Sequence, residues 1–181
     1  METIKLHDLH FKPFISAEEI NTIVRSLAEQ VGNDCKEETP LFIGILNGSF
    51  MFAADFVRAY KGDCEISFVK LASYQGTSST EKVKQLVGIN EDLEGRTVVI
   101  LEDIIDTGNT LQEIYEIFKD RKLKQLKIAT LFFKPDVFKK ELPIDYIGKS
   151  IPDKFIVGYG LDYNGLGRNN PAIYQLTTQA T

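Results

Sequence analysis

The sequence has little with which to build a disulfide, a thiolate centre or a membrane span. Its only cysteines, Cys35 and Cys64, stand far apart with no Cys-x-x-Cys, and read as buried or idle thiols in a reducing cytosol. Its only histidines, His7 and His10, have the spacing of a one-turn metal pair but lack a third ligand nearby, so they read as solvated or packing side chains. No apolar run approaches a membrane span, and no basic-then-apolar leader stands at the start. A cytoplasmic protein with no membrane partner is expected. Positive charge is in deficit, with 21 Lys and Arg against 26 Asp and Glu, a net −5. That argues against a nucleic-acid partner, because phosphate backbones demand clustered cations. Small anionic ligands stay open, since a local cradle can reverse the local field. There is no internal repeat and no low-complexity tract. With 43% hydrophobic and 26% charged residues, residues 1–181 read as one domain able to bury a real core.

What is present concentrates in residues 97–111, Thr-Val-Val-Ile-Leu-Glu-Asp-Ile-Ile-Asp-Thr-Gly-Asn-Thr-Leu. Val98, Val99, Ile100 and Leu101 form a short apolar run that suits a strand buried on both faces of a parallel sheet. Glu102 and Asp103 follow at its carboxyl end. Asp106 and Thr107-Gly108-Asn109-Thr110 come next, and then Leu111, Ile114, Tyr115 and Phe118 at helical spacing. The unit predicts strand, polar loop and helix, with the loop at the edge where open α/β sheets bind ligands. Backbone N–H groups and two hydroxyls within residues 107–110, at a helix N-terminus, suit a phosphate dianion. Gly108 lets the backbone approach it. Glu102 and Asp103 can accept hydrogen bonds from sugar hydroxyls or hold Mg²⁺ through its waters. Asp106 is left free to move a proton. Together these describe a site for a phosphorylated sugar.

Along the chain, residues 1–15 offer Leu6, Leu9, Phe11 and Phe14 to a core. Ser16-Ala17-Glu18-Glu19 is a capping box, with Ile15 able to staple onto Ile20. Ile20, Ile23, Val24, Leu27 and Val31 form the buried stripe of the helix, and Gly32 is its candidate stop. Leu41–Leu46 reads as a buried strand running into Asn47-Gly48-Ser49 and a helix from about Phe50 to Tyr60, repeating the strand-loop-helix plan. Residues 64–71 and 84–89 are further strand candidates. Between them residues 73–80 (Ser-Tyr-Gln-Gly-Thr-Ser-Ser-Thr) have the small, polar character from which lids are built. Residues 126–133 are another buried strand, followed at once by Lys134-Pro135.

Residues 101–110, Leu-Glu-Asp-Ile-Ile-Asp-Thr-Gly-Asn-Thr, resemble the signature of type I phosphoribosyltransferases that binds 5-phosphoribosyl 1-pyrophosphate (PRPP). Their Ile-Ile-Asp-Thr-Gly core points to the hypoxanthine–guanine branch. Residues 151–164 strengthen the resemblance, and its matches run from Leu46 to Arg168. It implies an α/β fold, a central, mostly parallel sheet flanked by helices, with a small hood from about residues 1–15 and 146–181. It implies Mg²⁺-dependent transfer of 5-phosphoribosyl from PRPP to N9 of a 6-oxopurine, within purine salvage. Glu102, Asp103, Asp106, Thr107, Gly108, Asn109 and Thr110 would then bind ribose and phosphate, with Asp106 as the base that takes the purine N7 proton. Leu46, Asn47, Gly48 and Arg168 would hold pyrophosphate, and the Leu46–Asn47 peptide bond would be cis. Asn47 departs from the family's usual basic residue there. Lys134 would donate to the purine 6-oxo group, Phe155 stack on the ring and the Ile156 backbone meet the base edge. Glu102, Asp103 and Asp162 would serve the metal, and Ser73-Tyr74 would belong to the lid. A homo-oligomer, dimer or tetramer, is expected.

Without the resemblance, Lys134 and Arg168 read as solvated charges, Phe155 as core and Asn-Gly-Ser as a turn. Two other readings of the central stretch fail on its surroundings. A receiver-like Mg²⁺ site does not place Thr-Gly-x-Thr at a helix start. An aspartic protease needs two copies of Asp-Thr-Gly or a homodimer. A regulator that binds RNA on the same fold would require a basic surface, which the charge balance opposes.

Overall fold

The computed structural model describes residues 2–72, 84–87, 89 and 91–177. The expected lid, with Ser73 and Tyr74, lies outside these residues. Two sheets make up the architecture. The larger contains β3 (Leu41–Leu46), β4 (Glu65–Ala72), β5 (Lys84–Val87), β6 (Thr97–Ile105), β7 (Gln125–Phe133) and β8 (Tyr146–Ser150). Its order is β5-β4-β3-β6-β7-β8, parallel from β4 to β8, with β5 antiparallel at one edge. The smaller contains β1 (Ile4–Leu6), β2 (Leu9–Ile15), β9 (Ile156–Val157) and β10 (Ile173–Leu176), in the antiparallel order β1-β2-β10-β9. This is the α/β fold expected from the sequence, with the small sheet as its hood.

The central strands β3 and β6 are buried on both faces, and their side chains alternate accordingly. Phe42, Val99 and Leu101 turn to the face covered by α1 (Ala17–Asp34) and α2 (Phe50–Ala59). Leu41, Ile43, Val98 and Ile100 turn to the face covered by α3 (Asn109–Phe118). Helix α1 begins where the capping box predicts, the Ser16 hydroxyl accepting from the Glu19 N–H at 3.2 Å. It is held by Ile20, Val24, Leu27, Ala28 and Val31, all buried. Each large aliphatic side chain so placed contributes about 1.5–3 kcal/mol.

The structure departs from the sequence reading in three places. Gly32 does not stop α1, which runs on to Asp34 and is capped at Cys35. A side chain at Gly32 would meet the Tyr60 ring at 3.6 Å, so the position sits under the end of α2 inside a continuing helix. Strand β6 does not end at Leu101 but runs through both acids to Ile105, because β7 pairs with it as far as Ile105↔Phe133. Tyr146–Ser150, placed with the hood from sequence, is instead the edge strand of the large sheet. Among the described residues no helix is long and apolar enough to cross a membrane, and Cys35 and Cys64 are unpaired thiols.

Candidate active site

Strands β3 and β6 are neighbours in the sheet, and the chain leaves their carboxyl ends toward opposite faces, into α2 and α3. Open α/β sheets bind ligands at such a reversal. A cavity of about 340 Å³ lies there. Its floor is Asn47 and Gly48 after β3, Asp103 and Ile104 in β6, and Asp106 beyond it. Lys134, at the end of β7, forms one wall. The hood supplies Lys154, Phe155, Ile156, Leu161, Asp162 and Arg168. Of the residues singled out from sequence, Asn47, Gly48, Asp103, Asp106, Lys134, Phe155, Ile156, Asp162 and Arg168 thus share one cavity. Leu46, Glu102, Thr107, Gly108, Asn109 and Thr110 are not among its walls.

Close backbone packing joins the floor to the hood. The Leu46–Asn47 peptide bond is cis. A Cβ at Gly48 would lie 1.8 Å from Asp103 Oδ2, and one at Gly160 would lie 2.0 Å from the Gly48 carbonyl oxygen. Gly160 has φ +98°, a conformation open to glycine and strained for other residues. Gly108, the N-cap of α3, has φ +87°. A Cβ there would strike the Phe138 ring at 2.6 Å and the Lys140 stem at 2.8 Å. The space that Gly108 leaves is therefore taken by Phe138, a residue the sequence reading did not single out.

The charges are arranged in pairs. Lys134 is buried, and its ammonium donates to Asp106 Oδ2 at 2.9 Å and to Asp153 Oδ1 at 3.0 Å. Burial works against that charge, but the bonds to Asp106 and Asp153 more than offset it and hold the ammonium's proton more firmly than usual. Arg168 donates to the Gly160 carbonyl at 2.6 Å and lies 2.7 Å from Asp162 Oδ1. The other Asp162 oxygen accepts from the Gly165 N–H at 2.7 Å. Asp162, expected to face a metal, thus pairs here with Arg168 and a turn.

Glu102 and Asp103 are both buried, and Glu102 Oε2 has no hydrogen-bond partner among the described residues. Burial, then the charge of Asp103, pushes the Glu102 carboxyl well above its usual range. Burial also raises Asp103, against the pull of its own and the Ile104 N–H groups and of Arg168. Among the described residues no three His, Cys, Asp or Glu side chains cluster to hold a metal ion directly. Glu102, Asp103 and Asp162 thus do not form a three-carboxylate cage.

Phe155 presents its ring with 45% of the residue exposed. Behind it stand Phe11 and Tyr163, with ring centroids 6.0 and 5.9 Å away. Exposure of a phenylalanine backed by two aromatics suits a stacking platform better than the core role its surroundings in the sequence suggest. Asp153, Lys154 and Leu161 were given no role from sequence. For Asp153 the one available signal was a carboxylate two residues before Phe155.

Comparison with known proteins agrees with this geometry. Residues 16–164 match the family model described as the phosphoribosyl transferase domain. A hypoxanthine-guanine phosphoribosyltransferase of Staphylococcus epidermidis is 40% identical over 166 residues, 91% of this chain and 93% of that protein. One from Streptococcus pyogenes is 44% identical over 157 residues, 84% of this chain and 87% of that protein. The crystal structure of a hypoxanthine-guanine phosphoribosyltransferase from Bacillus anthracis superposes with a TM-score of 0.86 at 41% identity, covering 92% of this chain and 98% of that one. The chain belongs to the phosphoribosyl transferase domain family, on its hypoxanthine-guanine phosphoribosyltransferase branch.

Proposed function

We propose that the protein transfers 5-phosphoribosyl from PRPP to N9 of hypoxanthine or guanine, giving IMP or GMP and pyrophosphate in purine salvage. The observation that carries this reading is a buried cation, Lys134, set beside the Asp106 carboxylate in one cavity with the exposed Phe155 ring. An ammonium only donates, so Lys134 accepts a 6-oxo group as its partner and opposes a 6-amino group. Phe155 offers a stacking face worth about 1–3 kcal/mol to a purine, and the Ile156 backbone runs along the base edge.

On this reading the N-terminus of α3, with Thr107, Gly108, Asn109 and Thr110, takes the 5-phosphate. Glu102 and Asp103 accept from the ribose hydroxyls. Leu46, Asn47, Gly48 and Arg168 hold pyrophosphate. Asp106 removes the N7 proton as N9 bonds to C1 of the ribose and the bond from C1 to the pyrophosphate oxygen breaks. Arg168 and the amides of Asn47 and Gly48 receive the charge that develops on the leaving group.

Mg²⁺ fits the acidic pair in β6. Burial and mutual repulsion disfavour the charged forms of Glu102 and Asp103, a condition that a divalent cation would relieve. With no direct cage, one or two of Glu102, Asp103 and Asp162 would hold the ion together with waters and substrate oxygens. Bound there, it supplies neutralisation of the pyrophosphate. The same reading takes the protein as cytoplasmic and as a dimer or tetramer, the latter measured by sedimentation. The deciding assay is nucleotide formation from PRPP and Mg²⁺ with each of hypoxanthine, guanine, xanthine and adenine. Turnover of adenine alone, or of none, overturns the reading.

A further inference from the structure

The pairing of Lys134 involves a residue that the proposed reaction does not use. Asp106 reaches the ammonium from beyond β6, and Asp153 reaches it from the segment before β9, 2.9 and 3.0 Å from the same nitrogen. Lys134 itself is almost wholly enclosed, while Asp153 is 56% exposed in its side chain and touches the cavity only through this bond. An ammonium has three N–H donors. The two carboxylates occupy two of them and so fix the direction of the third.

With Asp106 as its only partner the ammonium could turn about one contact. The full positive charge would then rest on the carboxylate that must accept a proton. A second carboxylate on another element removes that freedom and shares the charge.

We propose that Asp153 is a positioning residue for purine recognition. It holds the Lys134 ammonium so that its third N–H meets the 6-oxo oxygen while Asp106 keeps its negative charge for the N7 proton. The proposal rests on the reading of Lys134 as the donor to that oxygen. It makes Asp153 part of base recognition and leaves PRPP binding to other residues.

The test is a double-mutant cycle of Asp153→Ala and Lys134→Gln, read by KM for hypoxanthine, KM for PRPP and kcat. Losing the orientation of a charge-assisted hydrogen bond is expected to raise KM for hypoxanthine about tenfold in Asp153→Ala. KM for PRPP and the melting temperature should stay at their wild-type values. In the Lys134→Gln background the same substitution should add almost nothing, because its effect passes through the ammonium. An unchanged KM for hypoxanthine in Asp153→Ala overturns the proposal. So do a parallel rise in KM for PRPP, which marks general damage, and additive effects in the cycle. If the wild-type protein forms no nucleotide from hypoxanthine, the proposed function falls and takes this inference with it. Wild-type turnover with any of the three adverse results overturns the inference alone.

Discussion

At Asp106, replacement by asparagine keeps the size and an acceptor oxygen for Lys134 but removes the charge that would receive a proton. General acid–base contributions run to about 10²–10⁴-fold, so kcat should fall within that range while KM for PRPP stays near wild type. A kcat within twofold of wild type in steady-state assays would remove Asp106 from the proton transfer. Asn47 is the other informative side chain, exposed at the cavity floor and neutral. Asn47→Lys adds one solvent-screened charge, worth about 0.2–1 kcal/mol. Calorimetry should therefore show pyrophosphate binding tightened by up to about fivefold, and less at high salt. Asp106 can be found from sequence because it sits in a short motif beside a strand end, whereas Asn47 lies in a triplet that alone reads as a turn and is found only by resemblance. Asp153 could not be found, since its partner Lys134 lies 19 positions away and no local pattern announces an ion pair between two loops. Phe155 was found only by resemblance. Its flanking apolar run looks like core, and only the third dimension shows two aromatics behind it and a cavity in front.

Among the described elements, the parallel strands β3, β4, β6 and β7 and the helices α1, α2 and α3 can be read from apolar patterning, because burial leaves an apolar run in a strand and a stripe on a helix, whereas β8, a half-exposed edge strand, carries no such run. Their ends were harder. Strand β6 continues through two acids because β7 runs beside it, a pairing no window of sequence contains. The end of α1 is settled in the same way by its neighbours. Asp34 in its last turn accepts from Tyr146 in β8 at 2.6 Å and from Lys127 in β7 at 3.1 Å, tying the helix to the sheet edge. Tyr146 and then Lys127 hold the Asp34 carboxyl below its ordinary 3.8. The folded protein thus binds that proton less firmly than the unfolded chain. The stabilisation is whole above about pH 4 and is lost as pH falls through the folded value. Tyr146→Phe should cost about 1 kcal/mol at pH 7. The gap to wild type should narrow as denaturant titrations move below pH 4, and a gap independent of pH would mean the tyrosine acts by packing alone.

Across the whole molecule, the hood was the least readable part. It is assembled by pairing residues 11–15 with residues 173–176, and residues 156–157 with 174–175. Neither segment carries a signal of the other. The hood meets the floor where Gly160 approaches the Gly48 oxygen. Gly160→Ala should push the two apart and strain a left-handed backbone, costing about 1–3 kcal/mol of stability. Misplacing a bound substrate by about 1 Å costs on the order of 10²-fold, so kcat/KM should fall by that order while the fold survives. Near-wild-type kinetics in this variant would show that the contact bears only on folding. The order of the large sheet reaches further. The loops after β3 and β6 emerge from neighbouring strands, about 4.8 Å apart across the sheet, with β6 running two residues farther, and turn away to opposite faces. On the proposed reading one takes the pyrophosphate and the other the 5-phosphate of a single sugar. The sheet then acts as a calliper whose jaws are two backbones, gauging the separation of two anions before any side chain is consulted. Substitutions in either loop can loosen a jaw, but the gauge itself is reset only by changing which strands lie side by side.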